Sequence, residues 1–483
     1  MPCTTILVGK KASYDGSTII ARNDDNPSGM FAVKNLKIVN PNEQPKIYKS
    51  KIGKLTIELP DNPVKYTCFP TFDKKDGIWG ATGINDFNVG MSATETITTN
   101  SRVLGADPYQ LKDGKPNGIG EEDFVTIILP YIKTAKEGVL RLGELLEKYG
   151  TYESNGIAFN DENDIWWVET IGGHHFIAKR IEDDKYVSMP NQFGMDEFDL
   201  EDALTTQKNY ICSADLKEFI AKNHLDLNNN EYELNPRLIF GSHDDSDHVY
   251  NTPRSWAIER YFNPRKYVWE GENREFTPES DDIPFSLKPE RKITVDDVKW
   301  ALSNHYQGTE YDPYSKNVTP KTNMYRSIGV NRTSVIGLLQ IRGYKENRLK
   351  SILWFSFASN VFNTLVPFYT NGLIVPKYYS NATSTPNTNN FYWANRFLSV
   401  LADSHFNKTA IYIERYQDTV MSNSYNILNT YDKIFEETKD IQKLNEANLK
   451  VAKMVEKETN STLDKVLYVT SMLMKNAFAR SDN

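Results

Sequence analysis

Two short β-branched and aliphatic runs open the chain. Thr4–Val8 and residues 17–21 flank Asp15-Gly16, a strong turn signal, so the first 25 residues read as a β-hairpin. The pattern returns over residues 156–180. Ile157-Ala158-Phe159, the turn Asp161-Glu162-Asn163-Asp164, Ile165-Trp166-Trp167-Val168, the pair Gly172-Gly173 and His175-Phe176-Ile177-Ala178 predict a β-meander. Between these runs the period changes. Val139, Leu142, Leu146 and Tyr149 fall at helical spacing, with Gly150 where a C-terminal cap belongs. Thr294 is placed to cap a second helix that runs through Trp300 and Leu302. Residues 431–479 read as helix-rich and heavily charged, and residues 379–390, mostly Ser, Asn, Thr and Pro, as an exposed loop. The uncharged window 351–376 is broken by Asn360, Asn363, Pro367, Asn371 and Gly372, so it reads as buried strands and no membrane span is expected. Runs of strands with interspersed long helices and no internal repeat predict an α+β fold.

Composition narrows the function classes. The 483 residues are 39% hydrophobic and 25% charged, ordinary for a chain that buries a full core. A net charge of −8 supplies no field for nucleic acid phosphates, so no such partner is expected. Cys3, Cys68 and Cys212 are an odd number at wide spacings. They suit neither a disulfide framework nor a cysteine zinc site, and they point to a reducing cytoplasmic location. No basic region followed by an apolar core opens the chain, so a signal peptide is not expected. Phosphate-loop, His-Glu-x-x-His and Gly-x-Ser-x-Gly patterns are missing, and Gly77-x-x-Gly80-x-x-Gly83 lacks the dinucleotide spacing. His174-His175 falls on a predicted strand, where neighbours point to opposite faces, so the pair reads as structural. No metal or cofactor is expected.

The chemistry sits at the N-terminus. Cys3 opens the first strand, and Arg22-Asn23-Asp24-Asp25 closes its partner. If Met1 and Pro2 were removed, Cys3 would carry both a thiol and a free α-amine, which titrates near ~8 and can take the thiol proton. An arginine returning beside the sulfur favours the thiolate, and a carboxylate there can hold the α-ammonium. The alternative is a cysteine used as a small buried hydrophobe.

The pattern Cys3-Thr4-Thr5-Ile6, Asp15-Gly16-Ser17 and Arg22-Asn23-Asp24-Asp25 resembles the N-terminal nucleophile cysteine hydrolases. More closely, it is similar to the dipeptidase A family of lactic acid bacteria, with secernins as relatives. The similarity continues through Gly83-Ile84-Asn85, Gly90-Met91-Ser92, Pro190-Asn191-Gln192-Phe193 and Tyr250-Asn251-Thr252-Pro253-Arg254. It extends to His305-Tyr306-Gln307-Gly308-Thr309 and Tyr325-Arg326-Ser327-Ile328, and so covers nearly the whole chain. The resemblance implies an αββα four-layer sandwich, here over residues 1–400, with a helix-rich C-terminal extension over 401–483. It implies Cys3 as nucleophile with its freed amine as base, Arg22 and Asp25 flanking the thiol and amine, Asn191 in the oxyanion hole and Arg254 as a second active-site arginine. The implied reaction is hydrolysis of free dipeptides through an acyl-thioester.

Glu95 adds a reading of this chain's own. A dipeptide carries an ammonium and a carboxylate about two residues apart, roughly ~7 Å. Glu95 and Arg254 are candidates to flank the scissile bond as anion and cation. Two readings stay open beside dipeptide hydrolysis: an amidase of the penicillin V or bile salt acylase type, and a secernin-like non-catalytic protein. Because Pro2 blocks the Cys3 amine, cleavage of the Pro2–Cys3 bond by the Cys3 sulfur is expected. The charged helical tail is a candidate for assembly into a homo-oligomer.

Overall fold

The computed structural model describes residues 3–227 and 234–474, the side chains of residues 93–95 excepted. The hairpin forms as the pattern predicts. β1 (Thr4–Val8) and β2 (Thr18–Asp25) run antiparallel, with Thr4 opposite Asn23 and Val8 opposite Ile19. Before β2, Gly16 adopts φ 86°, and Asp15 Oδ1 accepts the Ser17 N–H at 3.0 Å.

This hairpin lies inside a seven-stranded antiparallel sheet. Its order is Ser286–Leu287, Tyr186–Met189, β1, β2, Thr333–Ile341, Ser351–Phe357 and Val366–Tyr369. An eight-stranded antiparallel sheet holds the meander, in the order Tyr210–Cys212, His175–Arg180, Ile165–Ile171, Ser154–Asn160, Gly90–Ile97, Thr82–Asn85, Tyr66–Cys68 and Lys37–Val39. The sheets pack face to face: β2 lies against Gly90–Ile97 and Ser154–Asn160, and Thr333–Ile341 against Thr82–Asn85. Gly337 permits the close approach, because a Cβ there would fall 2.1 Å from Thr82 Cγ2.

Helices cover the outer faces. Ala135–Tyr149, capped by Thr134 and Gly150, lies on the meander strands. Val295–Leu302, with Thr294 and Asp297 in a capping box, lies on β1 and β2, while Phe391–Asp403 and Gln442–Ser471 lie on Ser351–Phe357 and Val366–Tyr369. With both faces covered, every residue of β1 and β2 is buried, which is why the strands read as continuous runs without alternation. The chain is therefore α+β with antiparallel sheets and a helical C-terminal region, Phe406–Thr438 and Gln442–Ser471 being its long helices. The Phe391–Asp403 helix runs across position 400, and residues 475–479 of the expected helical tail lie outside the described residues.

The window 351–376 contains two fully buried strands, and among the described residues no helix is long and apolar enough to cross a membrane. One boundary differs from the composition-based expectation. Residues 377–380 form a helical turn with Tyr378 and Tyr379 buried, so the exposed loop starts after them. Two aromatic rings are enough apolar surface to pull that segment onto the core.

Candidate active site

β2 ends in four consecutive polar residues, Arg22, Asn23, Asp24 and Asp25, all buried. Burying such a run is costly unless each group is partnered, and strand alternation decides the partners. Thr5 pairs with Arg22 and Thr4 with Asn23, so Cys3 comes level with Asp24. Cys3, Arg22 and Asp24 then share one face, and Asn23 and Asp25 the other.

Arg22 occupies the centre of the first face. Its Nη2 donates to Cys3 Sγ at 2.9 Å, to Glu121 Oε1 at 2.5 Å and to Asp24 Oδ1 at 3.4 Å, and its Nη1 donates to the Ala81 carbonyl at 3.3 Å. Lys34 adds a second buried cation, 3.1 Å from Asp24 Oδ2. Its Nζ also donates to the Trp79 carbonyl at 2.7 Å. Trp79 and Ala81, whose carbonyls bind these two cations, both have positive φ (51° and 59°), so a strained turn supports the site. Burial acts to raise the Asp24 carboxyl, but the Lys34 and Arg22 charges outweigh it and hold Asp24 below the usual carboxylate range.

Sequence reasoning did not single out Asp24, Lys34 or Glu121. The two-residue period would have chosen Asp24 over Asp25 as the companion of Arg22. Glu121-Glu122-Asp123 before an apolar run signals a helix N-terminus, and it does begin the Glu121–Ile128 helix. Nothing local places that helix beside Cys3. Behind Glu121 the carboxylates are crowded. Glu153 Oε1 accepts the Glu121 N–H at 3.1 Å, and burial, then the Glu121 charge, push Glu153 up to about 7. Tyr152 donates to Glu122 at 2.5 Å and Tyr48 to Asp123 at 2.7 Å, and burial raises both of these acids.

Cys3 Sγ and oxygens of Asp24 and Glu121 lie within 4.8 Å of one another, the kind of trio that could bind a metal ion. Here the Arg22 guanidinium contacts all three and supplies the positive charge. Asp25 accepts from Arg326 Nη2 at 2.6 Å and Thr333 Oγ1 at 2.5 Å. Burial outweighs these partners and raises its carboxyl.

Arg254, on the fully packed face of the Thr252–Phe262 helix, does approach Cys3. Its Nη1 donates to the Cys3 carbonyl and, at 2.7 Å, to Thr4 Oγ1. Its Nη2 donates to Asn191 Oδ1 and Asn251 Oδ1, each at 2.7 Å, and its Nε to the Tyr250 carbonyl at 2.6 Å. All five guanidinium N–H groups thus engage protein acceptors. The Asn191 amide, fixed by Arg254, donates to the Thr96 carbonyl at 2.9 Å. Glu95 lies on the Gly90–Ile97 strand, and its side chain is outside the described residues, as are Met1 and Pro2.

The other cysteines differ in environment. Cys68 and Cys212 are buried in packing, and desolvation pushes each thiol up to about 12. The histidine pair also differs from the sequence reading. His174 sits in the turn before the His175–Arg180 strand, so both Nδ1 atoms converge on Asp107, at 2.8 and 2.7 Å.

The sequence matches the family model for peptidase family C69 over residues 2–419. It is 49% identical to a protein named dipeptidase from Bifidobacterium longum (strain NCC 2705), across the whole of both chains. It is 48% identical to a probable dipeptidase A of Streptococcus pyogenes serotype M3, again across both chains in full. To the dipeptidase A of Lactobacillus helveticus it is 42% identical over 96% of each chain.

Proposed function

The chain belongs to peptidase family C69, and from that premise we propose that it is a dipeptidase whose nucleophile is the Cys3 thiol. The carrying observation is the Arg22 Nη2 contact to Cys3 Sγ at 2.9 Å, in a buried site ringed by Asp24, Glu121 and Lys34. An arginine there favours the thiolate, whereas Cys68 and Cys212 are held as thiols by burial.

The reaction needs a free Cys3 amine, so residues 1 and 2 are removed first. The Cys3 sulfur attacks the Pro2 carbonyl, the Pro2–Cys3 peptide bond gives way to a thioester, and water releases Met1-Pro2. In turnover the thiolate adds to the dipeptide carbonyl, and the Asn191 amide faces the resulting oxyanion. Collapse expels the C-terminal amino acid, which takes a proton from the Cys3 α-ammonium. The amine then removes a proton from water, which hydrolyses the thioester and restores the thiolate. Arg254 positions Cys3 and Asn191 through its bonds to both. Asp25 acts through Arg326, and Glu95 is assigned to the substrate ammonium.

The stacked antiparallel sheets with helices outside them support an N-terminal nucleophile hydrolase fold. The carboxylates beside the thiol favour a cationic acyl end and disfavour the apolar acyl groups of penicillin V or bile salts. Dipeptide hydrolysis by Cys3→Ala and by a Cys68→Ala/Cys212→Ala double variant tests the reading. Activity should vanish in the first and persist in the second; an active Cys3→Ala protein would favour a different nucleophile or none.

A further inference from the structure

Arg254 directs its guanidinium N–H groups to protein oxygens, so a second cation near the site bears on the substrate's carboxylate end. A cleft of about 460 Å³ is lined by Tyr250, Tyr325, Arg326, Val330 and Arg332 among others. It connects to the site through two contacts: Tyr250 O with Arg254, which holds the Cys3 carbonyl, and Arg326 with Asp25. Arg332 differs from the other cations here. Its guanidinium has no hydrogen bond or ion pair among the described residues, although its Nε is buried. Burial and the Arg326 charge both act against its protonation, offset in part by Asp25, Tyr250 and Cys3, so a half-buried arginine lines the cleft with its charge only partly balanced by the protein. A bound anion would complete the arrangement.

The location suits one particular anion. Arg332 immediately precedes the Thr333–Ile341 strand, which pairs with β2 at the end where β1 begins, Thr333 lying opposite Asp25. Two strand spacings of ~4.8 Å and a small axial offset separate the Cys3 and Arg332 backbones by about 10–12 Å. One residue spans ~3.5 Å, so a carboxylate one residue beyond a carbonyl at Cys3 falls between the sulfur and the long Arg332 side chain.

We propose that Arg332 is the receptor for the free α-carboxylate of the substrate's C-terminal residue, and that the cleft beside it is the leaving-group subsite. The assignment rests on the dipeptidase reading and gives it a specificity. Peptides whose second residue carries a free carboxylate are cleaved well, and those with an amidated or extended second residue are cleaved poorly.

The test compares leucylglycine with leucylglycinamide. The wild-type enzyme should favour the free acid in kcat/KM by about 10–100-fold, the worth of a charge-assisted bidentate contact. Arg332→Met should reduce that preference to within about 3-fold by lowering kcat/KM on the free acid far more than on the amide, with circular dichroism reporting its folding; Arg332→Lys should keep part of the preference. If Arg332→Met fails to fold, Arg332→Gln provides the same comparison. Equal losses on both substrates in a folded variant, or a preference that survives, would overturn the carboxylate assignment and leave the dipeptidase reading standing. Hydrolysis of neither substrate by the wild type would overturn both.

Discussion

Asp24 and Asp25 are neighbours in sequence, yet they answer to different cations on opposite faces of β2: Asp24 to Lys34 and Arg22, Asp25 to Arg326. Burial acts to raise both carboxyls. The paired charges of Lys34 and Arg22 reverse it at Asp24, and Arg326 with Thr333 does not at Asp25. Asp24 therefore belongs with the cations around the thiol, and Asp25 with an arginine that lines the neighbouring cleft.

That division predicts a kinetic split. Asp24→Asn loosens Arg22 and Lys34 around the thiol and should lower kcat about 100-fold with little change in KM. Asp25→Asn frees Arg326 at the cleft and should mainly raise KM. Steady-state kinetics of the two variants on one dipeptide measure both effects, and indistinguishable profiles would contradict the division.

Arg22→Gln removes the positive charge 2.9 Å from Cys3 Sγ. The thiol pKa should rise, because an opposite charge favours the thiolate. Alkylation by iodoacetamide followed against pH should then show its acidic limb displaced upward relative to the wild type. Glu121→Gln removes a negative charge bonded to the same guanidinium and should displace the limb downward.

The buried Glu169 offers a stability test away from the site. Burial pushes it up to about 7 despite three donors on Oε1, from Trp167, Gly194 and Met195. Its unfolded value is near ~4.3, so between those pH values the folded state holds a proton that the unfolded state releases. Its contribution is therefore full at low pH and is lost as pH rises to about 7. Glu169→Gln should match the wild type near pH 5 and exceed it at pH 8 by on the order of 1–3 kcal/mol in chemical denaturation.

Glu95→Gln should raise KM for dipeptides several-fold at unchanged kcat, since it removes the carboxylate assigned to the ammonium. Equal KM values for variant and wild type would move that role to Glu121 and Glu153.

The hairpin, the meander and the capped helices were legible because each rests on local signals: Asp15-Gly16, Gly172-Gly173, Thr294 and Gly150. Cys3 and Arg22 could be linked because a hairpin fixes which residues return to the chain start. Asp24 was legible in principle as a further companion of Arg22, because a strand's two-residue period puts both on one face. Glu121 and Arg326 were not legible: they reach Arg22 and Asp25 across 99 and 301 residues, through the packing of the whole fold. Likewise, the convergence of His174 and His175 on Asp107 depends on a one-residue difference in where the strand starts. Arg332 looks like any charged residue in the sequence; what distinguishes it is a buried Nε with no hydrogen-bond partner among the described residues and the cleft beside it.

Whether Cys3 acts as an N-terminal nucleophile is decided by intact mass and N-terminal sequencing of catalytically active protein. Wild-type protein should begin at Cys3 and hydrolyse dipeptides, beside a Cys3→Ala variant that retains Pro2 and is inactive. Active protein that still carries Pro2 would contradict it, because the amine assigned as base would then be an amide nitrogen.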